Sequence, residues 1–150
     1  MASFQKVKFD NSKDRKFSKV VKKRVAQYFE DNNLSRNANM AMYIKTVIML
    51  TLYIGSYAVI ISGQFSLGFM WFCTFLLGVG MAGVGFCISH DAMHGAYSSN
   101  KYVNQTLGYT FDMMGANSYI WNIMHNIVHH TYTNIEGHDE DIDVAEFIRL

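Results

Sequence analysis

The chain has 150 residues, a net charge of +1 at neutral pH and a mean hydropathy of +0.03, averages that suit one soluble domain. The distribution does not: eleven of the thirteen Lys and Arg lie at or before Lys45, six of the twelve acids lie after position 135, and residues 46–89 carry no charge at all. Forty-four uncharged residues exclude a single water-soluble globular domain and leave too little chain outside them for a second sizeable core.

Residues 1–36 form a basic segment, with ten Lys and Arg against four acids. Phe17, Val20, Val21, Val25, Tyr28 and Phe29 recur at helical spacing, and Lys16, Lys19, Lys22, Lys23 and Arg24 supply the polar side. Two readings fit this pattern. One is an amphipathic helix lying on an anionic leaflet beside a membrane span; the other is an ordinary solvated charged helix. A nucleic-acid partner is not expected, because the basic stretch runs straight into apolar chain. No secretory signal peptide is expected either, since the first apolar run starts about 45 residues in.

Residues 40–89 predict two transmembrane helices, about 40–61 and 65–89. The uncharged 44 residues make about 66 Å of helix, close to two crossings of a ~30 Å hydrocarbon core. Lys45 is tolerated by snorkelling, and a tight turn at residues 62–66 makes the pair a hairpin. Both outer ends then return to one side, and the basic excess before the first span assigns that side to the cytosol. His90 emerges there. The string Gly78-Val79-Gly80-Met81-Ala82-Gly83 matches G-x-G-x-x-G, but no strand precedes it and it lies inside a span, so it is no dinucleotide site. Gly78, Ala82, Gly85 and Ser89 instead form a smooth stripe that a second helix or an acyl chain can approach. Cys73 and Cys87, about 21 Å apart on a helix, are expected to stay reduced.

Residues 90–150 are read as a cytosolic, helical region. Within it residues 98–109 are polar and loop-like, 110–128 are weakly apolar without spanning length, and the tail from Asn134 is acidic. There is no internal repeat and no proline. The predicted class is therefore all-α: a membrane protein with a transmembrane helical hairpin, an N-terminal amphipathic helix and a cytosolic helical region rich in histidine.

All six histidines follow the second span, and five form two clusters, His90-Asp91-Ala92-Met93-His94 and His125-Asn126-Ile127-Val128-His129-His130. An i, i+4 pair on a helix aims both imidazoles at one point, the spacing a metal requires. His90 with His94 and His125 with His129 meet it, while His130 lies about 100° round the helix from His129. His138 stands alone in the acidic tail and is read as an ordinary surface histidine. The clusters hold no thiolate, and their nitrogen-rich donor set suits Zn, Fe, Cu or Ni. Five imidazoles exceed the two or three that a catalytic zinc takes, so more than one ion is expected. Asp91, Asn126, Asn134, Asp139 and Asp141 are the candidates for orienting the imidazole N–H groups.

H-D-A-M-H followed by H-N-I-V-H-H resembles the first two histidine boxes of the membrane fatty acid desaturases, and His130-Thr131-Tyr132-Thr133-Asn134 with Gly137, Asp139 and Asp141 is similar to bacterial linoleoyl-CoA-type and front-end acyl desaturases. The resemblance runs from the basic N-terminal helix to the end of the chain. It implies a di-iron oxidoreductase that uses O₂ and two electrons to place a C=C bond in an acyl chain. His90, His94, His125, His129 and His130 would be iron ligands. The substrate would be an acyl-CoA or acyl-lipid drawn from membrane lipids. The small-residue stripe and Trp121 would either line the acyl path or serve ordinary packing. The family carries a third box, (H/Q)-x-x-H-H, after a second hairpin. This chain stops before it, so the resemblance implies an N-terminal portion that is inactive by itself. The His-Pro-Gly-Gly signature of a fused cytochrome b5-like domain is missing, which implies a separate electron donor of ferredoxin or cytochrome b5 type.

Other readings share some of these features. A di-iron lipid hydroxylase or epoxidase of the same histidine-box group differs only in product. A non-catalytic truncated membrane protein fits the missing third box. A haem- or metal-binding membrane protein uses paired histidines, but two axial ligands do not call for His129 and His130 side by side. A transporter would place ionisable groups within its spans, and residues 46–89 contain none.

Overall fold

The computed structural model describes residues 15–142, whose regular elements are all helices, with no β-strand among the described residues. The chain divides between Arg36 and Asn37 into two compact units. In the first unit, α1 (Arg15–Asp31) is a single amphipathic helix with no buried residue. Beyond it Leu34 N–H donates to the Phe29 carbonyl at 2.9 Å, and the Arg36 guanidinium lies over the Phe29 ring at 5.7 Å.

The second unit opens with two long helices. α2 (Met40–Ser62) starts at Asn39, whose side chain accepts from Met42 N–H, and stops at Gly63. Gly63 takes φ 62°, a left-handed conformation that a residue without Cβ adopts cheaply, and its N–H donates to the Ile60 carbonyl. Ser66 then caps α3 (Leu67–Val84) by accepting from Phe69 N–H. These two stops make the hairpin. Both helices are long and apolar enough to cross a membrane, the second when counted from Leu67 to Met93. Their outer faces are greasy, with Val47, Trp71, Phe75 and Phe86 between 64 and 78% exposed. Apolar surface on all sides is what lipid accepts and water does not.

Close approach of α2 and α3 falls on Gly80 and Gly83. A Cβ at Gly80 would lie 2.5 Å from the backbone nitrogen of Tyr53, and one at Gly83 would strike the Met49 thioether. The stripe read from sequence is used differently: Gly78 faces open space, while Ser89 is buried and hydrogen-bonded to the Thr110 hydroxyl.

The second span does not end as a plain α-helix. After Val84 it widens into a π turn at Gly85–Ser89, where the His90 N–H reaches back five residues to the Gly85 carbonyl, and it resumes as α4 (His90–Met93). The core sits at this point. Val84, Ile88, Ala92 and Tyr97 are buried together, flanked by Met42, Met49, Leu50, Tyr53, Leu107 and Met114. Tyr97 also fastens the loop after α4 to the start of α2. Its hydroxyl lies 2.7 Å from that of Thr46, and its carbonyl accepts from Ala38 N–H at 3.0 Å.

Residues 98–109, read as loop-like, contain α5 (Lys101–Gly108), capped where the Asn100 side chain accepts from Tyr102 N–H. The helix forms because Leu107 packs on the core and Gly108 closes against Met93, contacts that a short polar window does not disclose. Two single turns follow, α6 (Thr110–Met113) and α7 (Ser118–Trp121). A long π-helical stretch, Asn122–His129, leads into α8 (His130–Tyr132), and a 3-10 turn at Glu140–Ile142 completes the described chain.

Candidate metal centre

The first cluster sits on α4, directly beyond the π turn, and the second occupies the π stretch Asn122–His129 and the residue after it. The structure brings all five clustered histidines together. The Nε2 atoms of His90 and His125 lie 3.2 Å apart, and so do those of His90 and His94. His130 closes the group, its ring centroid 4.9 Å from His94 and 5.1 Å from His125. His125 and His129 stack at 4.9 Å with an interplanar angle of 11°.

Winding explains why His130 joins. On an α-helix it would stand about 140° round from His125. In the π stretch the His130 N–H instead reaches back five residues to the His125 carbonyl, returning the chain to the same side. The expected i, i+4 pairing is thus extended to a third imidazole.

Carboxylates settle the tautomers. The Asp141 carboxylate lies 2.6 Å from His125 Nδ1, and both oxygens of Asp139 lie within 3.0 Å of His129 Nδ1. Each acid holds a proton on Nδ1 and leaves the Nε2 lone pair free. Asp139 is buried, and burial pushes its carboxyl up. The hydrogen bonds from His129 and from the backbone N–H groups of Asn134 and Asp141 outweigh that and hold it below the ordinary carboxylate range. His94 is pushed down, first by burial and then by its neighbours His90, His125 and His130, which favours the neutral imidazole a metal needs.

The other candidates act differently. Asp91 is 3.4 Å from its neighbour His90, a weak contact. Asn126 donates to the Met93 carbonyl and to Asn122, so it ties the two clusters' backbones together, and its own Oδ1 is buried without a partner. Asn134 contributes its backbone N–H to Asp139 from a left-handed conformation, φ 62°. His138 lies beside Tyr132, ring centroids 5.4 Å apart, outside the two donor groups.

Two sets of donors lie close enough to hold an ion, His90 with His94 and His125, and His125 with His129 and Asp141. The second is already satisfied by hydrogen bonds through Nδ1, whereas the first presents Nε2 atoms to one another. Two nitrogens each about 2.1 Å from one ion and 3.2 Å apart subtend roughly 100° there, between octahedral and tetrahedral angles. The donor set fits a nitrogen-ligated transition metal.

A cavity of about 640 Å³ opens beside these rings. Met81, Ala82, Gly85 and Phe86 of the second span line it together with Phe111, Trp121 and Ile142, and His90, His125 and His129 border it. Trp121 stacks on His125 at 4.4 Å and on Phe111 at 4.9 Å, joining the imidazoles at the border of the cavity to its apolar lining.

Comparison with known proteins decides the family. The family model described as fatty acid desaturase matches residues 65–149. The chain belongs to the fatty acid desaturase family. It is 41% identical over 134 residues to the sn-1 linoleoyl-lipid 6-desaturase of Arthrospira platensis, covering 89% of this chain and 36% of that protein. It is 36% identical to the enzyme of the same name from Synechocystis sp. over all of this chain and 41% of that protein. An acyl-lipid (8-3)-desaturase of Physcomitrium patens is 30% identical over 93% of this chain and 29% of its own length. The chain thus spans about two-fifths of the length of the first two relatives. No solved structure matches it.

Of the residues expected to line an acyl path in this desaturase-family chain, Ala82, Gly85 and Trp121 border the cavity, whereas Gly78 and Ser89 do not. Phe111 was missed. Its only signal is apolar character in a short segment, and its place against Trp121 depends on how α6 and α7 fold back.

Proposed function

We propose that the protein is an iron-dependent, O₂-using acyl desaturase whose first two histidine boxes are those described above. The observation that carries this reading is the convergence of three Nε2 atoms from both clusters at the border of an apolar cavity. The reaction removes two hydrogens from adjacent CH₂ groups: –CH₂–CH₂– + O₂ + 2e⁻ + 2H⁺ gives –CH=CH– + 2H₂O. Two bound irons would supply the oxygen activation that an unactivated C–H bond demands.

His90, His94, His125, His129 and His130 are the ligands in this reading, with Asp139 and Asp141 fixing the ring orientations of His129 and His125. The cavity receives an extended acyl segment, Trp121 sets its distance from the imidazoles, and the greasy walls exclude water. The names of the relatives favour a lipid-borne acyl chain over a free acid. Electrons come from a separate ferredoxin or cytochrome b5-type protein. The protein is multi-pass, with its N-terminus and both clusters on the cytosolic side, as the basic excess before the first span directs.

The test uses the native-length protein in membranes. The expected result is about two irons per chain and aerobic formation of an unsaturated acyl product, both lost in His94→Ala and His129→Ala with membrane insertion retained. Unchanged turnover in either variant overturns the ligand assignment, and a hydroxylated product overturns the reaction.

A further inference from the structure

Helix α1 is long and basic, and among the described residues none of its own is buried. Taking 100° per residue, Phe17, Tyr28, Val21 and Val25 fall within an arc of about 80°, with Val20 about 60° beyond its Phe17 end. These five side chains are 41–74% exposed. Arg15, Lys16, Lys19, Lys22 and Lys23 occupy an opposing arc of about 120°, and no acid precedes Glu30 in the helix. Arg24 alone breaks the pattern, falling among the apolar positions, where its long stem can lie along them and its head reach the surface.

The occupant of this face follows from charge and connectivity. Only eight residues separate Asp31 from Met40, where the first apolar span begins. Extended fully, that linker reaches about 30 Å, so α1 never leaves the neighbourhood of a bilayer surface. A cationic helix with an apolar stripe, tethered there, complements anionic headgroups above an acyl layer. We propose that α1 is an interfacial anchor lying in the plane of an anionic phospholipid leaflet. Phe17, Val21, Val25 and Tyr28 sink to the acyl boundary, and the Lys and Arg side chains engage the headgroups. This inference is independent of the chemistry at the histidines.

The full chain with Cys73→Ser and Cys87→Ser, spin-labelled at Val21→Cys or at Lys23→Cys, is reconstituted into vesicles of phosphatidylcholine with or without phosphatidylglycerol. Accessibility to O₂ and to a water-soluble nickel chelate is then read for each label. With phosphatidylglycerol present, the oxygen-to-nickel ratio at position 21 should exceed that at position 23 by at least about threefold. That contrast should shrink in pure phosphatidylcholine, in about 1 M salt, where the Debye length falls to about 3 Å, and in the triple variant Lys16→Glu, Lys19→Glu, Lys22→Glu. Equal nickel access at both positions overturns the anchor and leaves a solvated helix. Protection of position 21 that is indifferent to lipid charge and salt also overturns it, and points to cover by another protein segment.

Discussion

Both carboxylate oxygens of Asp139 face His129 Nδ1, at 2.9 and 3.0 Å, and the same oxygens accept the backbone N–H groups of Asp141 and Asn134. An amide at this position would turn an NH₂ towards one of those donors. Asp139→Asn is therefore expected to weaken Fe(II) or Co(II) binding by about 10–100-fold, as loss of an orienting partner does. Asp91→Asn, altering a contact of 3.4 Å at a half-exposed carboxylate, should stay within about fivefold. Metal titration of the purified variants distinguishes the two, and equal losses would refute the orienting role of Asp139.

Trp121 stacks on His125 at 4.4 Å, close enough to report on its occupancy. Loading with Co(II) should quench Trp121 emission while Trp71, on the exposed face of α3, keeps its own. In Trp121→Phe the quenching should vanish. Quenching that survives this substitution would place the ion elsewhere.

Gly80 and Gly78 form a matched pair on α3. Gly80→Ala drives a Cβ into the backbone of Tyr53 and should cost about 1–3 kcal/mol, whereas Gly78→Ala meets nothing within 4 Å and should stay within about 0.5 kcal/mol. Unfolding of the two variants in mixed micelles measures the difference.

The Asp112 carboxylate accepts the Ser118 N–H at 3.2 Å. The Ser118 side chain, and then its backbone N–H, hold the Asp112 pKa below the ordinary 3.8. A depressed carboxyl pKa contributes stability that is complete above the unfolded value and is lost as pH falls through the folded one. Amide exchange at Ser118 should accordingly lose protection only at pH below about 3.8. In Asp112→Asn, which keeps an acceptor but cannot titrate, the protection should no longer track pH in that window.

Much of this architecture is legible in the residues themselves. The uncharged run betrays both long helices, Gly63 and Ser66 mark the turn between them, and the spacing of His90, His94, His125 and His129 announces a metal-ligand pattern. What stays hidden depends on partners distant in the chain. The π turns have no periodicity of their own, since eight residues, Asn122–His129, are too few to separate one winding from another. The use of Gly80 and Gly83 at the helix contact depends on which side of α3 meets α2. Helix α5 did leave a trace in its cap, Asn100, but its stability comes from Leu107 on the core.

The clasp between Tyr97 and the start of α2 carries a mechanical implication. Tyr97 lies three residues beyond His94; its hydroxyl holds Thr46 of that helix and its carbonyl holds Ala38 just before it. A span that tilts to suit a thinner or thicker bilayer therefore pulls on the loop that ends the first cluster.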